Sequence, residues 1–351
     1  MFMKAGVLYG KEDLRYEDVP TPSLASGDVL VKVKYTGICG SDIPRVNGEA
    51  ARYYPIILGH EFSGVVDKVG SEVKNLKVGD RVAGAPLLPC KECVDCRNGD
   101  YALCKQYSFV GSRQAGSFAE YVTIPEENAI KFDNSISFEQ GAFFEPMTIA
   151  LHGINRVDFK PGSTVAIIGG GNIGLFTTQW ARILGAEKIV VFDVDNDRLN
   201  LLKHYGATEG VNVTQEDFYN TALQYTNHRG FDYVFETAGS TETIKYCFDL
   251  VANKGSVCLI GTPNQKISFE ISEWEQINRK EFNLTGSWMS YSAPFPGKEW
   301  ELTAHYVNNG ELQFDDSFIY HKIGLSEIDA AFKMFKEPGR VKGKILIDSE
   351  R

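Results

Sequence analysis

Four cysteines crowd into a short stretch of the sequence. They follow the pattern Cys-x-x-Cys-x-x-Cys-x7-Cys and are Cys90, Cys93, Cys96 and Cys104. A structural zinc ion takes four soft ligands in a tetrahedron, and a closed set of four thiolates leaves no position for a substrate. The spacing therefore predicts a structural zinc site. Disulfides and an iron–sulfur cluster are the alternatives, and a total of seven cysteines argues against complete disulfide pairing.

A second set of metal-ligand types is scattered along the chain, and its members are Cys39, His60, Glu61 and Glu145. A catalytic zinc takes a few nitrogen, sulfur and oxygen ligands and keeps one position open. Each residue alone also has a simpler interpretation, as a hydrogen-bonded core histidine, a small apolar core cysteine or a surface carboxylate. Their combination suggests a second, catalytic metal site.

A glycine-rich turn follows an apolar run of residues 164–168. The segment Gly169-Gly170-Gly171-Asn172-Ile173-Gly174 matches G-x-G-x-x-G. In this context the first glycine permits a tight turn, the second lets the backbone approach a pyrophosphate, and the third lets helix and strand pack closely. The turn and Ile173 behind it are predicted to bind a dinucleotide; a merely flexible turn is the alternative.

An acidic residue follows the glycine turn at the expected distance. Asp193 closes the next apolar run, 19 residues after Gly174. A carboxylate there accepts hydrogen bonds from ribose hydroxyls and repels a 2′-phosphate, which favours NAD over NADP. Arg198, five residues further on, is assigned to the same site and leaves NADP open.

Two regions with different residue patterns contain the secondary-structure elements that must position these residues. Up to about residue 140, short alternating runs broken by glycine predict a β-rich domain. From Pro161, apolar strands alternate with helical segments, which predicts a doubly wound parallel sheet. The predicted α/β organisation is a β-rich domain over 1–155, a dinucleotide-binding domain over 156–292, and a return of the chain to the first domain over 293–351.

Individual elements are predicted within this division. They are a strand over 117–125, a helix joining the domains over 138–157, a helix over 173–184, another over 241–252, and a last strand in KILID at 344–348.

Composition and charge exclude several classes of protein. The chain has 351 residues, 43% of them hydrophobic and 23% charged, with a formal net charge of −10. These proportions are typical of globular domains, and the negative charge disfavours nucleic-acid and membrane-surface partners. With no apolar stretch of membrane-spanning length and no signal-like start, the expected location is the cytoplasm.

Several motifs occur together in the order seen in one enzyme family. They are GICGSD at 37–42, LGHEFSG at 58–64, VGDRV at 78–82, the four-cysteine loop, the Glu145-Pro146 pair and the glycine turn. In this respect the chain resembles the zinc-dependent medium-chain dehydrogenases over nearly its whole length. A glutamate at 145, where the alcohol dehydrogenases proper have a cysteine ligand, is similar to the polyol dehydrogenase branch.

The resemblance implies a fold, two zinc ions and a reaction. The fold is a GroES-like domain that carries both zincs, a Rossmann domain that binds NAD, and a substrate cleft between them. Cys39 and His60 would bind the catalytic zinc with Glu61 and Glu145 as carboxylate ligands, and which carboxylate binds directly stays open. Ser41 resembles the family's proton-relay hydroxyl, Glu61 is the other relay candidate, and a turn-capping role for Ser41 is the alternative.

Three segments, 53–61, 86–90 and 286–300, resemble members of the polyol branch that act on a phosphorylated substrate. The implied reaction is oxidation of a secondary hydroxyl of galactitol 1-phosphate to tagatose 6-phosphate. Cations suited to a phosphate and aromatic residues suited to a polyol are candidate substrate contacts; they are Arg45, Tyr53, Tyr54, Arg113, Trp288 and Lys298.

Two rival functions use the same residues. One is a sorbitol- or xylitol-type dehydrogenase of unphosphorylated polyols, which needs no cationic pocket. The other is a non-catalytic zinc- and NAD-binding protein, which would be expected to lose a ligand or a motif glycine. The family resemblance further implies a homodimer or homotetramer.

Overall fold

The computed structural model describes residues 2–215, 217–263, 265–337 and 339–351. Its strands in chain order are β1 (Phe2–Gly10), β2 (Asp13–Pro20), β3 (Asp28–Gly37), β4 (Ile56–Ile57), β5 (Glu61–Val69), β6 (Arg81–Gly84), β7 (Leu87–Leu88), β8 (Ser108–Phe109), β9 (Tyr121–Pro125), β10 (Ala129–Lys131), β11 (Thr164–Ile168), β12 (Lys188–Asp193), β13 (Glu209–Asn212), β14 (Phe231–Glu236), β15 (Val251–Leu259), β16 (Asn283–Gly286), β17 (Ile319–Gly324) and β18 (Lys344–Asp348).

The α-helices are α1 (Ile43–Val46), α2 (Val94–Arg97), α3 (Phe138–Ala142), α4 (Phe144–Asn155), α5 (Asn172–Ile183), α6 (Asn196–His204), α7 (Phe218–Gln224), α8 (Thr241–Leu250), α9 (Ile271–Trp274), α10 (Gln276–Lys280), α11 (Lys298–Asn308) and α12 (Ile328–Met334). No described helix is both long and apolar enough to cross a membrane.

The chain divides into two units. The first contains the residues up to Glu145 together with Tyr291–Gly310 and Phe314–Arg351, and the second contains Pro146–Ser290 and Glu311–Gln313.

The first unit is built mainly on antiparallel strand pairs, and the pair β17–β18 is parallel. Its larger sheet has the order β10-β6-β5-β3-β18-β17, with β9 also paired to β3, and a smaller sheet has the order β2-β1-β4. Alternate residues of β3, namely Val29, Val31 and Val33, are buried in one core with Phe62 and Val66 of β5, as expected of a half-buried strand. The C-terminal strand β18 pairs with β3.

Two predicted elements, one in this unit and one at its boundary with the second, differ from the structure. The strand predicted over 117–125 begins only at Tyr121, because the backbone of the buried Phe118 hydrogen-bonds to Gly6 and Leu58 instead of to β3. The helix predicted over 138–157 is broken at Phe143 into α3 and α4. Pro146 lacks an N–H and fits only the first turn of a helix, which explains the restart.

The second unit is a parallel sheet covered by helices. Its strand order is β13-β12-β11-β14-β15-β16, and every neighbouring pair is parallel. This is the order of a doubly wound nucleotide-binding sheet, in which ligands bind at the carboxyl ends of the strands. The strands supply apolar runs such as Val190 and Phe192 to a core shared with α8. The prediction of a doubly wound sheet is confirmed.

Candidate active site

Cys39, His60 and Glu61 come together because of the register between β3 and β5. The two strands are antiparallel, and Gly37 lies opposite Glu61. Cys39 follows β3 and His60 precedes β5, so both lie at the same end of the strand pair. One ligand atom from each of Cys39, His60 and Glu61 lies within 4.8 Å of the others. Gly37 provides space, since a Cβ there would lie 2.5 Å from Glu61 Oε2.

Glu61 forms a buried ion pair that the sequence analysis missed. Lys344 Nζ donates to Glu61 Oε1 at 2.8 Å and Oε2 at 2.6 Å, and to the Ile38 carbonyl oxygen at 3.2 Å. Burial lowers the pKa of Lys344, but the negative charges of Glu61 and Cys39 outweigh it and raise the pKa overall. A lysine in the otherwise apolar segment 344–347 was the available signal.

Asp42 is a second residue that contacts this site and that the sequence patterns did not indicate. Its fully buried carboxylate accepts from the Cys39 backbone N–H at 3.1 Å and from Arg45 Nη1 at 3.2 Å. Its Oδ1 lies 3.6 Å from His60 Nδ1. Burial raises the pKa of Asp42, while His60 and Arg45 oppose that shift. Asp42 therefore orients Cys39 and faces the His60 ring.

Glu145, the fourth predicted ligand, lies outside the set within 4.8 Å. It stands in the first turn of α4. Burial raises the pKa of Glu145 to about 7; His60 and Lys344 oppose the rise, and Glu61 and Asp42 add to it. Glu145 therefore interacts electrostatically with the charged groups of the cluster.

The donor set fits a bound zinc ion. Burial raises the pKa of Cys39, Asp42 and Glu145, so all three need a positive charge to hold their ionised forms. His60 Nδ1 is buried without a hydrogen-bond partner in the described part of the chain. A thiolate, an imidazole and a carboxylate are ligands that catalytic zinc uses.

Ser41 lies at the exposed edge of this cluster. Its hydroxyl donates to Cys39 Sγ at 3.4 Å and accepts from Arg45 Nη1 at 2.9 Å. Arg45 also donates to the Ser41 carbonyl oxygen. One cation therefore holds the hydroxyl and the backbone of Ser41 beside the metal ligands.

The four-cysteine loop also closes on itself. One ligand atom from each of the four residues lies within 4.8 Å of the others, and the cysteines are free. The Cys90 N–H donates to Cys104 Sγ at 3.3 Å, and the Cys93 N–H donates to Cys90 Sγ at 3.4 Å. Hydrogen bonds from the backbone N–H groups of Glu92 and Cys93 lower the pKa of Cys90 to about 7. Four converging sulfurs with N–H donors fit a tetrahedral zinc.

The glycine turn joins β11 to α5 in the second unit. Gly169 has φ +104°, a left-handed conformation that favours glycine. A Cβ on Gly174 would overlap the Gly169 carbonyl oxygen, whereas one on Gly171 would meet no atom within 4 Å. Gly171 is the N-cap of α5, so the open side of the turn coincides with the positive end of a helix. This arrangement fits a pyrophosphate.

Asp193 anchors the turn at the end of β12. Its Oδ2 accepts from the Gly170 N–H at 2.7 Å and its Oδ1 from the Asp195 N–H at 2.9 Å. Each carboxylate oxygen keeps a second lone pair for a ribose hydroxyl. Arg198 Nη1 lies 4.0 Å from Asp193 Oδ2, and Ile173 is half-buried in the first turn of α5.

The residues predicted to contact the substrate do not form one cluster in the described structure. Arg45 contacts Ser41 and Asp42, as described above. Arg113 donates to the Tyr107 carbonyl oxygen at 2.8 Å and stacks on the Tyr107 ring. No described contact joins Arg113 to the metal ligands. The others are exposed; Tyr53, Tyr54 and Lys298 belong to the first unit and Trp288 to the second.

Comparison with known families agrees with this architecture. The family model "Alcohol dehydrogenase GroES-like domain" matches residues 25–134, and "Zinc-binding dehydrogenase" matches residues 172–305. The chain belongs to the zinc-binding alcohol and polyol dehydrogenases, enzymes with a GroES-like and a Rossmann-like domain. The resemblance predicted from the motifs is confirmed.

Three individual proteins show where the chain lies within this family. Galactitol 1-phosphate 5-dehydrogenase of Escherichia coli is 38% identical over 91% of this chain and 92% of its own length. The crystal structure of galactitol-1-phosphate dehydrogenase from Escherichia coli superposes with a TM-score of 0.93 at 35% identity, covering 99% of this chain and 100% of the other. Sorbitol dehydrogenase of Bacillus subtilis is 36% identical over 75% of this chain and 76% of its own length. A crystal structure from Sinorhizobium meliloti 1021, assigned as a zinc-binding dehydrogenase and bound to NADP, has a TM-score of 0.90 at 32% identity and covers 99% of both chains.

The chain is therefore an oxidoreductase of the zinc polyol dehydrogenase family, with zinc and a nicotinamide dinucleotide as its cofactors.

Proposed function

We propose that the protein oxidises a secondary hydroxyl of galactitol 1-phosphate, giving tagatose 6-phosphate, with NAD as the hydride acceptor and two zinc ions per chain. The observation that carries this proposal is the cluster of Cys39, His60 and Glu61 with Ser41 and Arg45 at its exposed edge. The similarity to the Escherichia coli enzyme supports the choice of substrate.

In this reaction one C–H bond and one O–H bond of the substrate break. The hydride passes to NAD, the proton leaves to solvent, and a ketone forms. Zinc, when bound, supplies Lewis-acid polarisation of the substrate hydroxyl, and the nicotinamide accepts the hydride.

The residues of the chain perform the remaining tasks. Cys39 and His60 hold the metal, and a carboxylate completes the set. Lys344 donates to both carboxylate oxygens of Glu61 and so holds that side chain in place. This favours Glu145 as the carboxylate ligand that exchanges with water or substrate. Ser41, exposed and next to Cys39, passes the proton to water.

A cation close to the reacting hydroxyl favours a phosphorylated substrate. Arg45 is fixed by three acceptors on Ser41 and Asp42, and a guanidinium keeps further N–H donors for a phosphate. Arg113 and Lys298 are the other cations proposed for this role.

Three single variants test the phosphate assignment: Arg45→Gln, Arg113→Gln and Lys298→Gln. Activity is measured on galactitol 1-phosphate and on galactitol. Replacing a residue that binds the phosphate should lower the ratio of kcat/KM for galactitol 1-phosphate to kcat/KM for galactitol by at least about tenfold. Arg45→Gln should also lower activity on galactitol, because Ser41 loses its partner, so the ratio of the two substrates is the decisive quantity.

Arg15→Gln, which breaks an exposed ion pair with Asp13 on β2, is the matched control and should change neither value. If all three variants keep the wild-type ratio, these cations do not bind a phosphate.

The main rival is an unphosphorylated polyol dehydrogenase. Two observations favour it: Arg45 already has acceptors within the protein, and the sorbitol dehydrogenase of Bacillus subtilis is a similar relative. A non-catalytic role is disfavoured, because the candidate metal ligands and the motif glycines are all present.

NAD is proposed over NADP because of the charge on Asp193. Asp193→Asn keeps one side-chain oxygen, which can accept from the Gly170 N–H, and removes the charge that repels a 2′-phosphate. The ratio of kcat/KM for NADP to that for NAD should rise by about tenfold or more.

Asp195→Asn, which changes the neighbouring N-cap carboxylate of α6, is the control and should leave the ratio within about twofold. A wild-type preference for NADP, or an unchanged ratio in Asp193→Asn, would contradict the assignment.

A further inference from the structure

A buried glutamate lies directly behind the glycine turn. Glu236 is the last residue of β14, opposite Ile168 of β11 on one side and Leu259 of β15 on the other. It therefore stands at the carboxyl edge of the sheet, next to the residue from which the glycine turn begins.

Its side chain is fully buried and holds one loop. Oε1 accepts from the Ala238 N–H at 2.9 Å, the Gly239 N–H at 2.8 Å and the Thr243 hydroxyl at 2.8 Å. Oε2 has no hydrogen-bond partner in the described part of the chain. Burial raises the pKa of Glu236, and the three donors oppose that shift. Burying a carboxylate costs free energy of desolvation, and an apolar residue could not accept the three hydrogen bonds that Glu236 accepts here.

The loop that Glu236 holds packs on the glycine turn. The Thr237 N–H donates to the Ile168 carbonyl oxygen at 2.9 Å, and its hydroxyl donates to the carbonyl oxygens of Ile168 and Gly169 at 3.0 Å each. A Cβ on Gly169 would lie 3.0 Å from both Thr237 Oγ1 and Ala238 Cβ. The position of the turn thus depends on the position of residues 237–239.

The backbone carbonyl group of Glu236 also binds the loop that leaves the next strand. The N–H groups of Ile260 and Gly261 donate to its carbonyl oxygen at 2.8 and 3.0 Å. A Cβ on Gly261 would lie 2.5 Å from Glu236 Oε2 and would overlap the Gly239 N–H group. The backbones after β14 and β15 therefore meet at this one residue, whose backbone carbonyl oxygen binds residues 260–261 and whose carboxylate binds residues 238–239.

We propose that Glu236 is a positioning residue for the dinucleotide, whose carboxylate holds residues 237–239 against the glycine turn without touching the ligand itself. The inference rests on the dinucleotide site assigned above to this turn. It goes beyond that assignment because Glu236 lies outside the glycine motif and, being fully buried, is not a direct ligand.

The test compares three substitutions that keep or remove the acceptor. Glu236→Gln retains an oxygen for the three donors, Glu236→Asp keeps the charge but withdraws it by about 1.5 Å, and Glu236→Ala removes it. NADH binding is measured by fluorescence titration without any polyol, and kcat and KM for NAD are measured alongside thermal unfolding.

We expect Glu236→Asp and Glu236→Ala to raise the Kd for NADH by about tenfold or more, with kcat at saturating NAD within about threefold of wild type. Glu236→Gln should bind within about threefold of wild type. Glu242→Ala, at an exposed glutamate in the first turn of α8, is the control and should not change the Kd.

A purely structural role predicts a lower melting temperature with an unchanged Kd, and that result in Glu236→Asp would overturn the proposal. Equal binding by Glu236→Asp and Glu236→Gln would do the same if Glu236→Ala does not fold. Absence of NADH binding in the wild-type protein would instead refute the dinucleotide site itself.

Discussion

Replacing Cys39 by serine is expected to lower kcat/KM for polyol oxidation by at least about 10³-fold, since several kcal/mol of transition-state stabilisation depend on a correctly held metal. Cys39 supplies the sulfur of the cluster with His60 and Glu61. The bound zinc should fall from the two ions per chain proposed above towards one, because the four-cysteine loop is unchanged.

The measurements are NADH formation, metal content and thermal unfolding of the purified variant. Cys258→Ser is the matched control: Cys258 is buried in β15 of the other unit, and its replacement should leave the zinc content at the wild-type value. Undiminished turnover in Cys39→Ser would remove the catalytic-metal assignment.

Replacing Lys344 by methionine is expected to destabilise the protein by about 3–5 kcal/mol, because Glu61 would be left as a buried charge without its partner. Both side chains of the pair are almost completely buried. Lys344→Met should also lower activity, since the Glu61 carboxylate would be released toward the metal ligands.

Urea unfolding monitored by circular dichroism measures the change. Lys333→Met, which breaks an exposed ion pair with Asp329 on α12, should cost less than about 1 kcal/mol. The double variant Lys344→Met/Glu61→Leu should recover much of the lost stability, because removing both charges leaves no unpaired one. A loss of less than 1 kcal/mol in Lys344→Met would show that the pair does not stabilise the fold.

Local sequence patterns were sufficient for the dinucleotide-binding unit. The alternation of apolar strands and helices, with glycines at the first turn, is a signal over neighbouring residues. The helix predicted over 173–184 corresponds to α5 at Asn172–Ile183. The close spacing of the four cysteines was informative for the same reason, since residues so near in sequence can bind one ion.

The candidate catalytic cluster depends on long-range pairing that a local pattern does not contain. Cys39 and His60 meet through the register of β3 with β5, and Lys344 reaches Glu61 from a strand 283 residues away in sequence. Asp42 lies within the GICGSD motif, yet its interactions with Cys39 and Arg45 follow from its burial, which the sequence alone does not show. Glu236 was missed because a glutamate at the end of a strand is ordinarily exposed.

The measurement that tests the central claim most directly follows NADH absorbance with purified, metal-analysed protein and four substrates in parallel: galactitol 1-phosphate, galactitol, sorbitol and sorbitol 6-phosphate. We expect kcat/KM for galactitol 1-phosphate to exceed that for galactitol by at least about 10²-fold, equivalent to two or more charge-assisted hydrogen bonds to the phosphate. Equal or better use of the free polyols would contradict it and would assign the protein to the sorbitol-type branch.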